Sequence, residues 1–305
     1  MNISTIYKLG KTQTELEFVD VRLDTDNLLF VDPRLIESII GNSLVSMMQS
    51  SIEAYWGELI KSVKAKDSVM ISSLLSGLSE PNETRLGYSH SKRSGNSVGN
   101  KLKPKIITAI TTNKAVKTGI LSHFSDLELF IPDINCDRIS DITTKIIKAQ
   151  LIEFTQIQAK KLGIKLYPTV QKDIFNSTTF KWENQKVELP LDDDNRAVIF
   201  VPKELVRLEN SANSNINCFY RYAIRKFIKH DLDMLKGVQG SGKNQEIQLC
   251  DIKNQYPLSK QELTNWSMKY GKLLVDYKTD HLNGRLRSLT DEEIERIVYN
   301  LSKAS

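Results

Sequence analysis

Between residues 139 and 162 apolar side chains return at helical intervals, with Ile142, Ile146, Ile147, Leu151, Phe154 and Ile157 forming one stripe. A helix of this length cannot leave such a stripe in water, so the rest of the chain must supply surfaces that cover it. Residues 44–63 repeat the same period, and residues 68–78 predict a shorter helix. Asp32-Pro33 reads as a helix start, the aspartate capping and the proline taking the first helical position. Further helices are predicted over 106–121, 218–236, 259–277 and 291–302, the last capped by Thr290.

Strand signals are shorter. ELEFVDVRL alternates apolar and polar residues, and LLFVD follows after the turn-forming DTDN, which predicts a β-hairpin. Residues 127–131 form an apolar, strand-like run. KLYPTV predicts another strand, and TFKWE with KVELP predicts a hairpin turning at Asn184-Gln185. Residues 196–201 (RAVIFV) read as the most buried strand of the second half, ended by Pro202. The expected class is α/β in the mixed α+β sense: a central mixed sheet flanked by helices, with a helical C-terminal portion. Residues 1–170 would form an α/β domain, and 171–305 a smaller sheet extension with a helical region, or the two would be continuous.

Composition narrows the function classes. The 305 residues suffice for a substantial core, with 40% hydrophobic and 26% charged residues. The formal charge of +5 permits nucleic-acid binding without demanding it. Cys136, Cys218 and Cys250 are scattered and odd in number, and His90, His123, His230 and His281 are equally dispersed. Neither a disulfide framework nor a zinc hydrolase fits that pattern. The N-terminus lacks a signal-peptide core and no apolar run reaches bilayer length, so a cytoplasmic location without membrane contact is expected.

Five carboxylates fall in SDLELFIPDINCDRISD: Asp126, Glu128, Asp133, Asp137 and Asp141. On a strand, Asp126 and Glu128 would share a face; on a helix start, Asp137 and Asp141 would do the same. Convergence of the two pairs would suit Mg²⁺, which takes oxygen ligands and generates a nucleophilic hydroxide at a phosphodiester. Asp137 and Asp141, with Ser140, also suit a plain structural role, because such groups in a first helical turn complement its dipole and cap its N–H groups, whereas capping does not account for Asp126 and Glu128 on a strand.

Upstream, residues 79–104 are polar, basic and glycine-spaced. Arg85, Lys92, Arg93 and Lys101 stand among Gly87, Gly95 and Gly99, a composition suited to phosphate or to a solvated loop. Tyr88 and His90 are available to stack on bases. GVQGSGK at 237–243 matches a phosphate-loop pattern, but Asn244 replaces the magnesium-binding hydroxyl residue and no strand precedes it. An inter-helix linker is the better reading. Glu53 is a candidate third carboxylate, Lys203 and Arg207 are candidate phosphate contacts, and Arg221, Arg225, Lys226, Lys229 and Lys236 mark a basic helical stretch. A solvated surface is the better reading for Glu53 and for the helical stretch, and explains Lys203 and Arg207 equally well.

Pro132-Asp133 resembles the opening of the PD-(D/E)xK nuclease motif. Glu188 in KVELP has no lysine two residues on, however, and the one Asp-x-Lys, Asp276-Tyr277-Lys278, lies far downstream. FVDP, NETRLG and DRISDITT together look like uncharacterised bacterial proteins from restriction and phage-defence gene neighbourhoods. That resemblance implies a bacterial host and a nucleic-acid-directed role, and it transfers no catalytic residue.

Two functions follow as expectations. One is a Mg²⁺-dependent nuclease or nuclease-like subunit of a bacterial defence system, with Asp126, Glu128, Asp137 and Asp141 holding the metal and Arg85, Lys92, Arg93 and Lys101 gripping DNA or RNA. The other is a non-catalytic sensor or adaptor that binds nucleic acid or a partner protein.

Overall fold

The computed structural model describes residues 1–88, 111–118, 121, 123–132, 134–209, 216–282 and 286–299. The chain forms two compact units. The first comprises Met1–Thr108, Ile134–Glu209 and Arg287–Ser305, and the second comprises Ala109–Asp133 and Asn210–Leu286. The expected boundary at 170/171 falls within the first unit, inside a continuous strand. No helix among the described residues is long and apolar enough to cross a membrane.

In the first unit, Asn42 accepts from the amides of Leu44 and Val45 and starts the Ser43–Ala65 helix. That helix buries Val45, Met48, Ile52, Tyr55, Trp56, Leu59 and Val63, the recurrence of an amphipathic face. Asp32 caps the Pro33–Ser38 helix as expected, accepting from the Arg34 amide at 2.9 Å. The stripe at 139–162 belongs to two helices, Cys136–Ile146 and Lys148–Leu162. They meet at Ile147, whose φ of −94° and ψ of 11° leave the helical well. The break lets the adjacent Ile146 and Ile147 both reach 0% exposure, which consecutive positions on one regular helix rarely do.

The class is mixed α+β, as expected, with helices in the C-terminal portion. Among the described residues the strands form two two-stranded antiparallel sheets in place of one central sheet. Tyr167–Asn176 pairs with Lys181–Leu189, so TFKWE and KVELP lie on one strand and Asn184-Gln185 is not the turn. The turn comes at Asn176, whose side chain accepts from the amides of Thr178 and Thr179. Asn184 instead accepts from the Asp173 amide, where the register shifts.

The hairpin expected near the start also gives way. Phe30–Val31 pairs with Val206–Arg207, far along the chain, and ELEFVDVRL makes only isolated bridges. RAVIFV is buried as expected, with Val198, Ile199, Phe200 and Val201 between 0% and 2% exposed, but it joins no ladder. Its amides are satisfied one by one: Val198 donates to Pro190 O, Ile199 to Glu83 O, and Phe200 to Thr155 Oγ1. The Asp291–Val298 helix, capped by Thr290, completes this unit and buries Ile294 and Val298.

The second unit is helical among its described residues. Its core is largely aromatic: Phe219 meets Tyr277 at 4.8 Å and Phe130 at 5.7 Å, while Trp266 stacks on Tyr220 at 5.7 Å. The expected helix 218–236 divides into Ile216–Lys226 and Leu232–Leu235, and 259–277 into Lys260–Lys269 and Leu273–Tyr277. Of the helix expected over 106–121, Lys114–Lys117 is helical; most of the remainder lies outside the described residues. The strand expected at 127–131 is a helical turn, Leu127–Phe130. Leu127, Leu129, Phe130 and Ile131 are all at most 1% exposed, and a short run buried on every side has no alternation to distinguish strand from helix.

Candidate functional site

Asp126 and Glu128 therefore do not share a strand face. Asp126 is fully buried in the second unit and receives Lys278 Nζ at 2.6 Å. An ammonium thus stands where a bound cation would be needed, which suits a structural ion pair better than Mg²⁺. Lys278 is the lysine of the Asp-x-Lys sequence, but it is carried on helical structure without the strands that frame the PD-(D/E)xK motif. Asp133 lies outside the described residues.

Asp137 and Asp141 belong to the first unit, on the Cys136–Ile146 helix. Asn135 caps that helix through the Arg138 amide. Asp137 Oδ1 accepts from the Tyr88 amide at 3.4 Å, and Asp141 faces Arg138 at 3.6 Å. Burial pushes the Asp141 carboxyl well above its ordinary range. Asp137 adds to that push, as do Glu80 and Asp26, while Arg138 opposes it.

This charged face continues along the helix at intervals of four. Lys145 follows Asp141, and Lys148 extends the line beyond Ile147. Both lysine side chains are only 3% exposed; Lys145 meets Asp173 at 3.8 Å and Lys148 meets Glu83 at 2.7 Å. Burial raises the Glu83 carboxyl, but the two lysines, Lys148 foremost, outweigh it and hold it below the usual range. The opposite face, with Ile139, Ile142 and Ile146, is buried as well. A helix with both faces covered, one of them charged, is an unusual expense and a recognised mark of functional sites. The sequence reading missed Lys145, Lys148, Glu80 and Asp26 as members of this group. The spacing of Asp137, Asp141 and Lys145 was its only local signal.

Arg85 is committed to the fold. Its guanidinium meets Asp192 at 3.2 Å, its backbone takes a positive φ of 56°, and its carbonyl accepts from Asn27. Asp192 also holds Arg196. Tyr88 bonds Glu209 through its hydroxyl and lies against Phe30 at 5.3 Å, so it anchors the start of the basic stretch. Lys92, Arg93 and Lys101, with His90, lie outside the described residues.

The remaining candidates have structural partners or solvent. Glu53 is exposed and accepts from Gln49. Lys203 pairs with Asp291 at 2.7 Å, and Arg207 with the buried Asp32 at 3.3 Å. In GVQGSGK the Ser241 amide, with that of Gln248, is spent on the Asp251 carboxylate at 2.9 and 2.8 Å. The Ser241 side chain foremost, and then these two amides, lower Asp251 to about 2, so the loop holds its own anion and serves as a linker before the Leu249–Gln255 helix. Arg221, Arg225, Lys226, Lys229 and Lys236 are exposed. Among the described residues, no three His, Cys, Asp or Glu side chains are grouped to hold a metal ion.

Residues 8–213 match the model of the family described as a domain of unknown function, DUF8370. The match spans more than half of the chain, which therefore belongs to that family. No curated protein and no solved structure matches it.

Proposed function

We propose that this member of the DUF8370 family is a non-catalytic nucleic-acid-binding component. The observation that carries the reading is the outer surface of the Ile216–Lys226 helix. Arg221 and Arg225 lie one turn apart and exposed, while Phe219, Tyr220, Ala223 and Ile224 fix the inner face in the core. Lys229 follows in the next turn, also exposed. Exposed cations of this kind neutralise backbone phosphates and gain by counterion release, without reading sequence. The likeness of FVDP, NETRLG and DRISDITT to defence-neighbourhood proteins supports a place in a bacterial restriction or phage-defence system, acting as sensor or adaptor beside a protein partner.

A second reading, a Mg²⁺-dependent nuclease, draws support from one observation only: Asp137 and Asp141 share a helix face, where burial and then the Asp137 charge raise the Asp141 carboxyl well above its ordinary range. Mg²⁺ commonly binds through one or two carboxylates and completes its shell with water and substrate phosphate, so this pair fits it where Asp126 does not. In that reading Asp137 and Asp141 would hold the ion, which would supply charge stabilisation at phosphorus.

One set of measurements separates the readings. Binding to labelled duplex DNA and single-stranded RNA is followed against salt, for the native chain and for Arg221→Ala/Arg225→Ala/Lys229→Ala. The binding reading expects the triple variant to lower the salt slope by about two to three, at roughly 0.7–0.9 per phosphate contact. An unchanged slope refutes it. Cleavage with Mg²⁺ or Mn²⁺ that is lost in Asp137→Ala would establish the nuclease in its place.

A further inference from the structure

Beneath the start of the Asp291–Val298 helix lies a cavity of about 560 Å³, within the range of small-ligand sites. It lies wholly in the first unit, and its walls come from all three stretches of chain that build that unit. Phe154, Pro202 and Glu204 belong to the span shared with the family, whereas Leu289, Asp291 and Glu292 come from beyond residue 213. The later stretch is fastened in place: Ser288 Oγ donates to the Glu204 carbonyl at 2.9 Å, and Lys203 grips Asp291 at 2.7 Å.

The chemistry of the walls is uneven. Phe154, Pro202 and Leu289 give an apolar surface. Four carboxylates, of Glu17, Glu204, Asp291 and Glu292, face one ammonium, that of Lys203. Lys203 is already engaged by Asp291, and Glu17 by Lys161. The negative charge that remains rests on Glu204 and Glu292, the latter held below its ordinary range chiefly by its bond from the Thr290 side chain and in smaller part by the Arg296 charge. An anion is repelled here, and a neutral apolar ligand leaves the acids unmatched. A ligand that satisfies both kinds of wall has an aliphatic body ending in a cationic nitrogen.

We propose that this cavity binds an alkylammonium group, with its methylenes against Phe154, Pro202 and Leu289 and its nitrogen between Glu204 and Glu292. Two sources share this chemistry: a free linear polyamine, and the lysine side chain of a peptide segment. The helix N-terminus that borders the cavity does not invert the preference, because its own Asp291, Glu292 and Glu293 already complement its dipole.

The test is calorimetric titration of the full chain with spermidine and, separately, with a short lysine-rich peptide, beside 1,8-octanediol as an uncharged control. Saturable binding of either cation is expected, with no binding of the diol. The tighter arm identifies the source. Glu204→Gln/Glu292→Gln should weaken the interaction about tenfold or more, the scale of losing a charge-assisted bond. Both residues are at least partly exposed, so the variant should keep its fold, and circular dichroism checks that it does. Phe154→Ser supplies an independent arm through the apolar wall and should weaken binding as well. Failure of both cations to bind, or affinity unchanged in the double variant, would overturn the proposal.

Discussion

Lys148 donates to Glu83 at 2.7 Å from a side chain only 3% exposed, joining the second helix of the charged face to a turn 65 positions earlier. The same ammonium bonds the Lys172 carbonyl at 3.2 Å, so it has partners on two sides. Buried pairs contribute modestly in net terms, yet breaking one leaves the other charge stranded.

Lys148→Met should therefore cost about 3–5 kcal/mol, while Lys148→Met/Glu83→Gln should recover much of that loss. Chemical denaturation measures both. The sign of the pH dependence follows from Glu83, whose carboxyl is depressed in the folded chain. Its stabilisation is complete above the ordinary carboxylate range and is lost as pH falls through the folded value. The native chain should show that acid-side loss, and Glu83→Gln should show a smaller one, because depressed carboxylates such as Asp192 and Asp251 remain.

Asp141 behaves in the opposite sense. Its carboxyl is raised on folding, so the folded chain holds the proton more tightly and stability declines as pH climbs above the ordinary carboxylate range. Asp141→Asn should raise the melting temperature at neutral pH and lose that advantage in acid. Melting curves of both proteins across pH decide it, and a variant less stable at neutral pH would contradict a carboxyl raised by burial and by the Asp137 charge.

Gly77 leaves room for an indole. A Cβ placed there would lie 2.0 Å from Trp182 Cδ2, and Trp182 is itself held by a bond to the Leu74 carbonyl at 2.8 Å. Gly77→Ala should destabilise the protein by about 1–3 kcal/mol through overpacking. Gly57 stands in open space on the Ser43–Ala65 helix, so Gly57→Ala should stabilise by about 0.5–1 kcal/mol.

In the second unit, Lys278→Met strands the fully buried Asp126 and should cost about 3–5 kcal/mol. Hydrogen exchange should show the loss in amides of that unit. If Asp126 instead served a bound metal, the same change would leave stability nearly untouched.

What the sequence disclosed divides along physical lines. Helix starts at Asp32-Pro33, Ser259 and Thr290 were legible because a cap is a local contact, made within three residues. Strand partners were not, since Phe30 finds Arg207 across most of the first unit's chain. RAVIFV advertised burial correctly, but burial says nothing of whether a ladder or a threonine hydroxyl satisfies the amides. In the candidate site, Asp137 and Asp141 stood out as acids. The charges of Asp26 and Glu80 that act on Asp141, and the Glu83 that pairs with Lys148, come from segments that nothing in DRISDITT specifies. Arg85 read as a phosphate ligand because its true partner, Asp192, lies more than a hundred residues away.

The first unit is assembled from three stretches, and its closing helix comes only after the chain has traced the second unit. On the ribosome, then, the second unit emerges in full while the first still waits for Ile294 and Val298 to seal its core. Nascent chains stalled before residue 290 should carry a protease-sensitive first unit, and release of the last helix, rather than the first, should set the moment at which the protein becomes resistant.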